Sequence, residues 1–140
     1  MARDEKLELL RTVPLFSGLS SRELKRIGEL ADEVDLPAGR VLMRQGEQGS
    51  EMLVLVDGNA RIERDGEVIA ERGAGEVLGE IALLDGGPRT ATVTLTRESR
   101  LLVLGRREFQ TAMDELPDVR LRVLEAVAQR LRTLDSSSIH

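Results

Sequence analysis

Hydrophobic residues in the first third of the chain recur at the three- and four-residue spacing of an amphipathic helix. The first group is Leu7, Leu10 and Val13, and the second is Leu24, Ile27, Leu30 and Ala31. Ser20 stands just before the second group and Glu23 lies three residues after it, which is the pattern of a capping box. The sequence therefore predicts two N-terminal helices, the second beginning at Ser20.

From Val41 onward the hydrophobic pattern changes to short apolar or alternating runs, after Pro37, Ala38 and Gly39 have interrupted the helical spacing. The predicted strands are 41–43, 52–56, 60–64, 67–71 and 100–105, separated by glycines or by the hairpin pair Asp65-Gly66. Many short strands at this spacing are typical of a barrel or a sandwich. The central part of the chain is therefore predicted to be mainly β.

Helical spacing returns after residue 105 in the face formed by Phe109, Ala112, Met113 and Leu116. Pro117 interrupts it, and a last helix is predicted over about residues 119–134. This helix carries an apolar stripe of Leu121, Leu124, Val127 or Ala128, Leu131 and Leu134. The simpler interpretation is that the stripe packs on the protein's own core, and the alternative is a helix that moves or pairs with a second chain. Residues 135–140 are predicted to form a frayed tail.

The length of 140 residues and the hydrophobic content of 41% favour a single domain over residues 1–140, with its core over 14–134. A net charge of -5 gives no general electrostatic basis for binding nucleic acid. Apolar runs fall short of the roughly 20 residues of a membrane helix, and charges interrupt the N-terminal segment where a signal peptide would be apolar. We therefore expect a cytoplasmic protein without a membrane segment, and the preference for arginine over lysine hints at a bacterial source.

The sequence offers few groups for enzyme chemistry. It has no cysteine, its one histidine is His140, and it lacks the Gly-Lys pair of a phosphate-binding P-loop. Ser-His-Asp sites, metal centres and the histidine-rich metal site of a β-barrel enzyme are therefore not expected. Gly73, Gly75 and Gly79 miss the dinucleotide-binding spacing by one residue and are interpreted as turns. The prediction is a protein that is not an enzyme.

The segment VLGEIALLDGGPRTATV, residues 77–93, places an arginine where an alternating strand begins. Arg89 falls on the same side of that strand as Ala91, Val93 and Leu95, the side predicted to face the core. A buried guanidinium needs an anion, because breaking a buried ion pair costs about 3–5 kcal/mol. We therefore expect an anion to bind at Arg89.

A short helical turn over residues 79–84 would supply further groups for that anion. Its first backbone N–H groups have no acceptor within the turn and point toward its start. A phosphate held between these groups and Arg89 would lie beside the Glu80 carboxylate, which then needs a donor such as a sugar hydroxyl. An anion next to a diol implies a nucleotide.

Residues 79–93 resemble the phosphate-binding cassette of cyclic nucleotide-binding domains, the family of the catabolite activator protein, the regulatory subunits of cyclic-AMP-dependent kinase and cyclic-nucleotide-gated channels. The matching positions are Gly79, Glu80, Ala82, Leu83, Leu84, Arg89, Ala91 and Val93. The resemblance implies an eight-stranded jelly roll, or double-stranded β-helix, with N-terminal helices, a short cassette helix and two C-terminal helices. Residues 79–93 are called the cassette below.

The resemblance also implies roles for individual residues. Arg89 would bind the cyclic phosphate together with the backbone amides of Ala82 and Thr90, and Glu80 would accept from the ribose 2′-hydroxyl. The predicted nucleotide-binding residues are Leu78, Gly79, Glu80, Ile81, Ala82, Arg89, Thr90, Ala91 and Arg130. We expect cyclic AMP as the ligand and keep cyclic GMP as the alternative, because a threonine at position 90 occurs with either.

The purine has few candidate partners, because Leu78 stands where many family members have an aromatic residue and the chain has no Trp or Tyr. Phe16 and Phe109 are interpreted as core residues. A guanidinium can stack on a base instead, and Arg130 on the last helix is the candidate. The alternative is that Arg130 is a solvated surface charge.

The predicted function is a regulatory module whose ligand draws the last helix over the pocket and thereby signals to a partner. That partner is an unidentified effector protein or output domain, and a homodimer through the last helix is a further expectation. The chain ends before a DNA-reading helix-turn-helix, so in a transcription regulator, channel or transporter it would be the sensor half. A last alternative is a degenerate domain in which Glu80 and Arg89 pair with each other and no nucleotide binds.

Overall fold

The computed structural model describes the backbone of residues 3–138 and the side chains of residues 4–129, 131 and 132. The helices are α1 (Arg3–Arg11), α2 (Ser21–Leu30), α3 (Ala82–Asp85), α4 (Arg106–Glu115) and α5 (Pro117–Ser138), with a 3-10 turn at Pro14–Phe16. The strands are β1 (Asp32–Leu36), β2 (Val41–Met43), β3 (Glu51–Asp57), β4 (Asn59–Arg64), β5 (Glu67–Gly73), β6 (Val77–Leu78), β7 (Thr92–Leu95) and β8 (Ser99–Gly105). The chain divides into a β unit, residues 31–109, and a helical unit formed by the flanking residues, and each is described separately.

The β unit consists of two antiparallel four-stranded sheets, ordered β1-β8-β3-β6 and β2-β7-β4-β5. Side chains from both sheets meet in one cluster of buried residues, namely Met43, Leu53, Leu55, Ala60, Leu78, Val93, Leu95 and Leu101. The alternation expected after Arg89 holds along β7, where Val93 and Leu95 are buried while Thr92 and Thr94 are half-buried. The predicted eight-stranded roll is confirmed.

The strands that the sequence indicated most clearly have nearly the predicted bounds. Two strands were not predicted, and each has a physical reason. β1 is short and charged, with half-buried apolar residues only at Val34 and Leu36, and β6 consists of two residues. The strand expected to open at Arg89 begins instead at Thr92, so Arg89 lies in the connection that precedes β7.

The predicted Asp65-Gly66 hairpin joins β4 to β5, with Arg64 opposite Glu67. Both turn residues have positive φ angles, 53° at Asp65 and 82° at Gly66, as a type I′ turn requires. Gln45 holds this turn through its side-chain amide, donating to Asp65 Oδ1 at 2.8 Å and accepting from the Asp65 N–H at 2.9 Å. The tight turn fixes the register of the two strands that later form one wall of the candidate site.

The helical unit contains the capping box predicted at the start of α2. The Ser20 N–H donates to Glu23 Oε1 at 2.8 Å, and the Glu23 N–H donates to Ser20 Oγ at 3.2 Å. In the same unit Arg26 donates to both carboxylate oxygens of Glu115, at 2.6 and 2.8 Å. This hydrogen-bonded pairing lowers the pKa of Glu115 and ties α2 to the end of α4.

The face of α5 that packs is not the predicted one. Val119, Val123 and Ala126 are buried, whereas Leu121, Leu124 and Leu131 are 56%, 65% and 60% exposed. At 3.6 residues per turn the two sets lie on roughly opposite sides of the helix. Both sets have helical spacing, so the spacing could not identify the buried face, and the interpretation that the leucine stripe packs on the core is wrong for these three residues.

The C-terminal end of α5 also differs from expectation. The helix continues to Ser138, beyond the predicted end at residue 134, because no glycine or proline follows to stop it. Residues 139–140 and the side chain of Leu134 lie outside the described residues, and the frayed tail over 135–140 stays a prediction.

Candidate ligand site

Arg89 directs a partly buried guanidinium into the β unit just before β7. Its backbone N–H donates to the Glu47 carbonyl at 2.8 Å, and its Nη2 donates to the Glu51 carbonyl at 2.9 Å. Nη1 is buried, and no described residue accepts a hydrogen bond from it. Burial lowers the pKa of Arg89, and the Glu51 carboxylate partly opposes this shift. The side chain thus presents a charged donor that still needs an acceptor.

Two glycines make room for this side chain. A Cβ atom on Gly49 would lie within 2.6 Å of the Nε, Cζ and Cδ atoms of Arg89. A Cβ atom on Gly79 would collide with Arg89 Nη1 and lie 2.8 Å from Met43 Cε, and the φ angle of Gly79 is +70°. Both positions therefore require glycine for close approach, and Gly79 requires it for its backbone conformation as well.

The cassette helix is shorter than the predicted turn over residues 79–84 and begins later, since it covers Ala82–Asp85. α3 begins at Ala82 rather than within the Gly79–Glu80 turn, because the positive φ of Gly79 is incompatible with a helix. The Ala82 N–H donates to the Gly79 carbonyl at 3.2 Å, so this expected cradle amide is engaged in the turn. Glu80 is half-buried beside it, and Ile81 is 43% exposed.

A cavity of about 270 Å³ opens in front of Arg89. It is lined by five of the predicted residues, Leu78, Gly79, Arg89, Thr90 and Ala91, and also by Met43, Ile62, Arg64, Ile69, Ala70, Arg72, Val77 and Val93. Glu80, Ile81 and Ala82 are not among the lining residues, although they adjoin Gly79 in the chain. A larger cavity of about 620 Å³ lies between α1 and α2, but Arg89, whose buried Nη1 lacks an acceptor among the described residues, lines the smaller one.

Sequence reasoning missed the wall formed by the β4–β5 hairpin. Ile62 lies opposite Ala70 and Ala60 lies opposite Arg72 in the strand register, so one face of the hairpin carries residues of the cavity. Arg64 Nε donates to the Thr90 carbonyl at 3.1 Å and thereby links this wall to the cassette. The alternation of side chains along β4 and β5 could have indicated this wall, because it places every second residue of each strand on the same face.

The two phenylalanines are core residues as predicted, because Phe16 is 1% exposed and Phe109 is 0% exposed. Neither lines the cavity, which has no aromatic residue in its lining. The side chain of Arg130 lies outside the described residues, so its stacking on a base stays a prediction.

Other kinds of site find no support in the described part of the chain. Among the side chains described within residues 3–138, which are those of 4–129, 131 and 132, no group of three or more His, Cys, Asp or Glu is arranged to hold a metal ion. Within the same range, no helix combines the length and apolar character needed to cross a bilayer.

Known proteins resemble this chain in sequence. The sequence model of the cyclic nucleotide-binding domain matches residues 33–115. A cyclic nucleotide-gated potassium channel of Rhizobium etli is 34% identical over 123 residues, which are 88% of this chain and 34% of the channel. The chain thus spans about a third of that relative's length.

Solved structures agree with the sequence comparison. The N-terminal domain of a transcriptional regulator from Streptomyces coelicolor superimposes with a TM-score of 0.86 at 35% identity, covering 93% of this chain and 94% of that one. The regulatory domain of Toxoplasma gondii PKA, crystallised with cAMP, gives a TM-score of 0.73 at 26% identity, over 89% of this chain and 57% of that one. With its two four-stranded sheets and its matching cassette, the chain belongs to the cyclic nucleotide-binding domain family.

Proposed function

We propose that this chain is a regulatory module that binds a cyclic purine nucleotide, with cyclic AMP as the expected ligand, and performs no chemistry itself. The observation that carries the proposal is the buried Nη1 of Arg89, which has no acceptor among the described residues. Leaving a buried charged donor unsatisfied costs about 1–3 kcal/mol or more. An anionic ligand that accepts a hydrogen bond from Nη1 would recover this free energy on binding. The cyclic phosphate would supply the acceptor.

The other cassette residues receive their expected roles within this proposal. Glu80 would accept from the ribose 2′-hydroxyl, and the amides near Ala82 and Thr90 would complete the contacts to the phosphate. The Ala82 N–H would have to turn from the Gly79 carbonyl, 3.2 Å away, toward the ligand. The apolar lining of the cavity, including Leu78 and Val93, would then cover the nucleoside.

The alternative of a degenerate domain requires Arg89 to be satisfied within the protein. A buried Glu80–Arg89 salt bridge would place a carboxylate oxygen on the guanidinium. Arg89 instead donates through Nη2 to a backbone carbonyl and leaves Nη1 without an acceptor among the described residues. This arrangement favours a domain that awaits a ligand.

Calorimetric titration of the purified chain tests the proposal. We expect cyclic AMP to bind, cyclic GMP to bind modestly more weakly, and 5′-AMP, which is not cyclic, to bind much more weakly. The 2′-deoxy analogue of cyclic AMP should lose about tenfold or more in affinity, since a hydrogen bond to a charged group is worth about 1.5–3 kcal/mol. Absence of binding to any cyclic nucleotide would contradict the proposed function, and equal binding of the deoxy analogue would contradict the role of Glu80.

We also propose α5 as the element that passes the signal on. Its three exposed leucines, Leu121, Leu124 and Leu131, form an apolar surface that a purine, an effector or a second copy of the chain can cover. A nucleotide that binds better to the state with α5 closed would shift the population toward it. One relative is a potassium channel and another is the N-terminal domain of a transcriptional regulator. We therefore propose an effector that is either attached to this domain or a separate protein, without naming its kind.

Hydrogen exchange on the full chain measures this response. On addition of cyclic AMP we expect slower exchange at amides 119–132 as well as at 79–91. Sedimentation at several protein concentrations separates the two ways of covering the leucines, because a dimer would depend on concentration and a closed monomer would not. Protection confined to the cassette, with no change of α5 at any concentration, would make α5 a static element.

A further inference from the structure

Arg106, the first residue of α4, contacts the C-terminal end of the cassette helix. Its Nη2 donates to the Leu84 carbonyl at 3.1 Å. A Cβ atom on Gly86, which caps α3 in the left-handed conformation, would lie 2.5 Å from Arg106 Nη1. A four-residue helix cannot satisfy its last carbonyls internally, so this guanidinium supplies a donor that α3 lacks.

The backbone of Arg106 makes a second connection toward the ligand site. Its N–H donates to the Ser50 carbonyl at 2.8 Å, and the neighbouring Gly49 N–H donates to the Gly87 carbonyl at 3.1 Å. Gly49 is the residue packed directly against the Arg89 side chain. These contacts form a ring. Arg106 is hydrogen-bonded to Ser50, the adjacent Gly49 is hydrogen-bonded to Gly87 just after α3, and Leu84 of α3 is hydrogen-bonded back to Arg106.

Arg106 is exposed, so packing into a core does not explain its placement. Both of its hydrogen bonds end on backbone carbonyls, and each carbonyl belongs to a segment that adjoins the candidate site. A ligand that reorients α3 would therefore also move the Leu84 carbonyl, which is an acceptor of Arg106.

We propose that Arg106 is a positioning residue that holds α3 in its ligand-binding orientation and transmits movement of the cassette to the start of α4. The inference rests on the proposed function, because the movement is the one that a cyclic nucleotide would cause. Loss of the side chain removes one connection of the ring and leaves the Arg89 contacts in place. Cyclic nucleotide binding should then weaken moderately, and the effect of the bound nucleotide on α4 should be lost.

The test compares Arg106→Met and Arg106→Lys in the full chain, with Arg97→Met as the matched control. Arg97 is also an exposed arginine, but it pairs with Asp57 at 3.0 Å, outside the ring. Cyclic AMP affinity is measured by calorimetry, and ligand-induced protection of amides 106–110 by hydrogen exchange. We expect Arg106→Met to raise Kd about three- to tenfold, the range of one hydrogen bond, and to abolish the added protection. Arg106→Lys should recover most of both effects, and Arg97→Met should change neither.

The possible results separate the inference from the proposed function. If the parent chain binds no cyclic nucleotide, the proposed function fails and the inference falls with it. If the parent binds and Arg106→Met binds equally well with the same protection of residues 106–110, the inference alone is overturned. It is also overturned if Arg106→Lys fails to restore protection and both variants lower the unfolding temperature of the ligand-free chain, because the role is then structural.

Discussion

Replacing Arg89 by leucine is expected to weaken cyclic nucleotide binding by about 3–5 kcal/mol, or roughly two to four decades in Kd, because a buried phosphate loses its counter-charge. The variant removes Nη1, which has no acceptor among the described residues, and also the hydrogen bond from Nη2 to the Glu51 carbonyl. Calorimetry measures the affinity, and circular dichroism checks that the variant is folded. A variant that binds as tightly as the parent would refute the assignment of the cassette.

Arg89→Lys is the companion to this variant. A lysine keeps the charge but cannot donate through two nitrogens of a planar group, so it cannot hold both the Glu51 carbonyl and a phosphate in the same geometry. We expect an affinity between those of the parent and Arg89→Leu. If lysine and leucine are equally damaging, the geometry of the guanidinium matters more than its charge.

Gly49→Ala is expected to raise Kd about tenfold to a hundredfold although residue 49 touches no ligand in the proposed site. The added methyl group would collide with the Nε, Cζ and Cδ atoms of Arg89 and displace the guanidinium from the Glu51 carbonyl. Overpacking of this kind costs about 1–3 kcal/mol, and a misplaced guanidinium adds to the loss in binding. Titration with cyclic AMP measures the loss of affinity, and thermal unfolding of the ligand-free variant measures the cost of overpacking in the free protein.

Gly73→Ala provides the matched control for this substitution. Gly73 does not have the positive φ that would strain an alanine, and a Cβ atom there would meet nothing within 4 Å. Its replacement should leave both the affinity and the unfolding temperature close to those of the parent. Equal affinities for the two alanine variants would show that the contact between Gly49 and Arg89 does not position the guanidinium.

The sequence predicted best the features that depend on neighbouring residues. The capping box at Ser20 and the hairpin at Asp65-Gly66 have local chemical causes, and both occur where predicted. The cassette was recognised for the same reason, since Gly79 and Arg89 belong to one continuous segment. Short-range signals therefore sufficed for these local elements and for the central cation of the site.

Features set by distant contacts were missed or assigned wrongly. Arg64 and Arg72 belong to the cavity because the β4–β5 hairpin folds beside β7, and no local motif marks them. The buried face of α5 is decided by which apolar side can pack, and the smaller residues Val119 and Val123 pack while Leu124 does not. Periodicity gives the spacing of apolar positions, but tertiary packing chooses between two faces that both satisfy it.

The unsatisfied donor of Arg89 also bears on how such a domain changes when selection for its ligand is relaxed. The ligand-free protein keeps a partly buried cation whose Nη1 has no acceptor among the described residues, so we expect it to be less stable than the same fold with an apolar side chain there. Keeping the arginine therefore lowers the stability of the ligand-free fold, and only selection for ligand binding favours keeping it. In a lineage that no longer senses a nucleotide, residue 89 is where drift toward methionine or leucine should appear early, ahead of the glycines that merely accommodate the arginine.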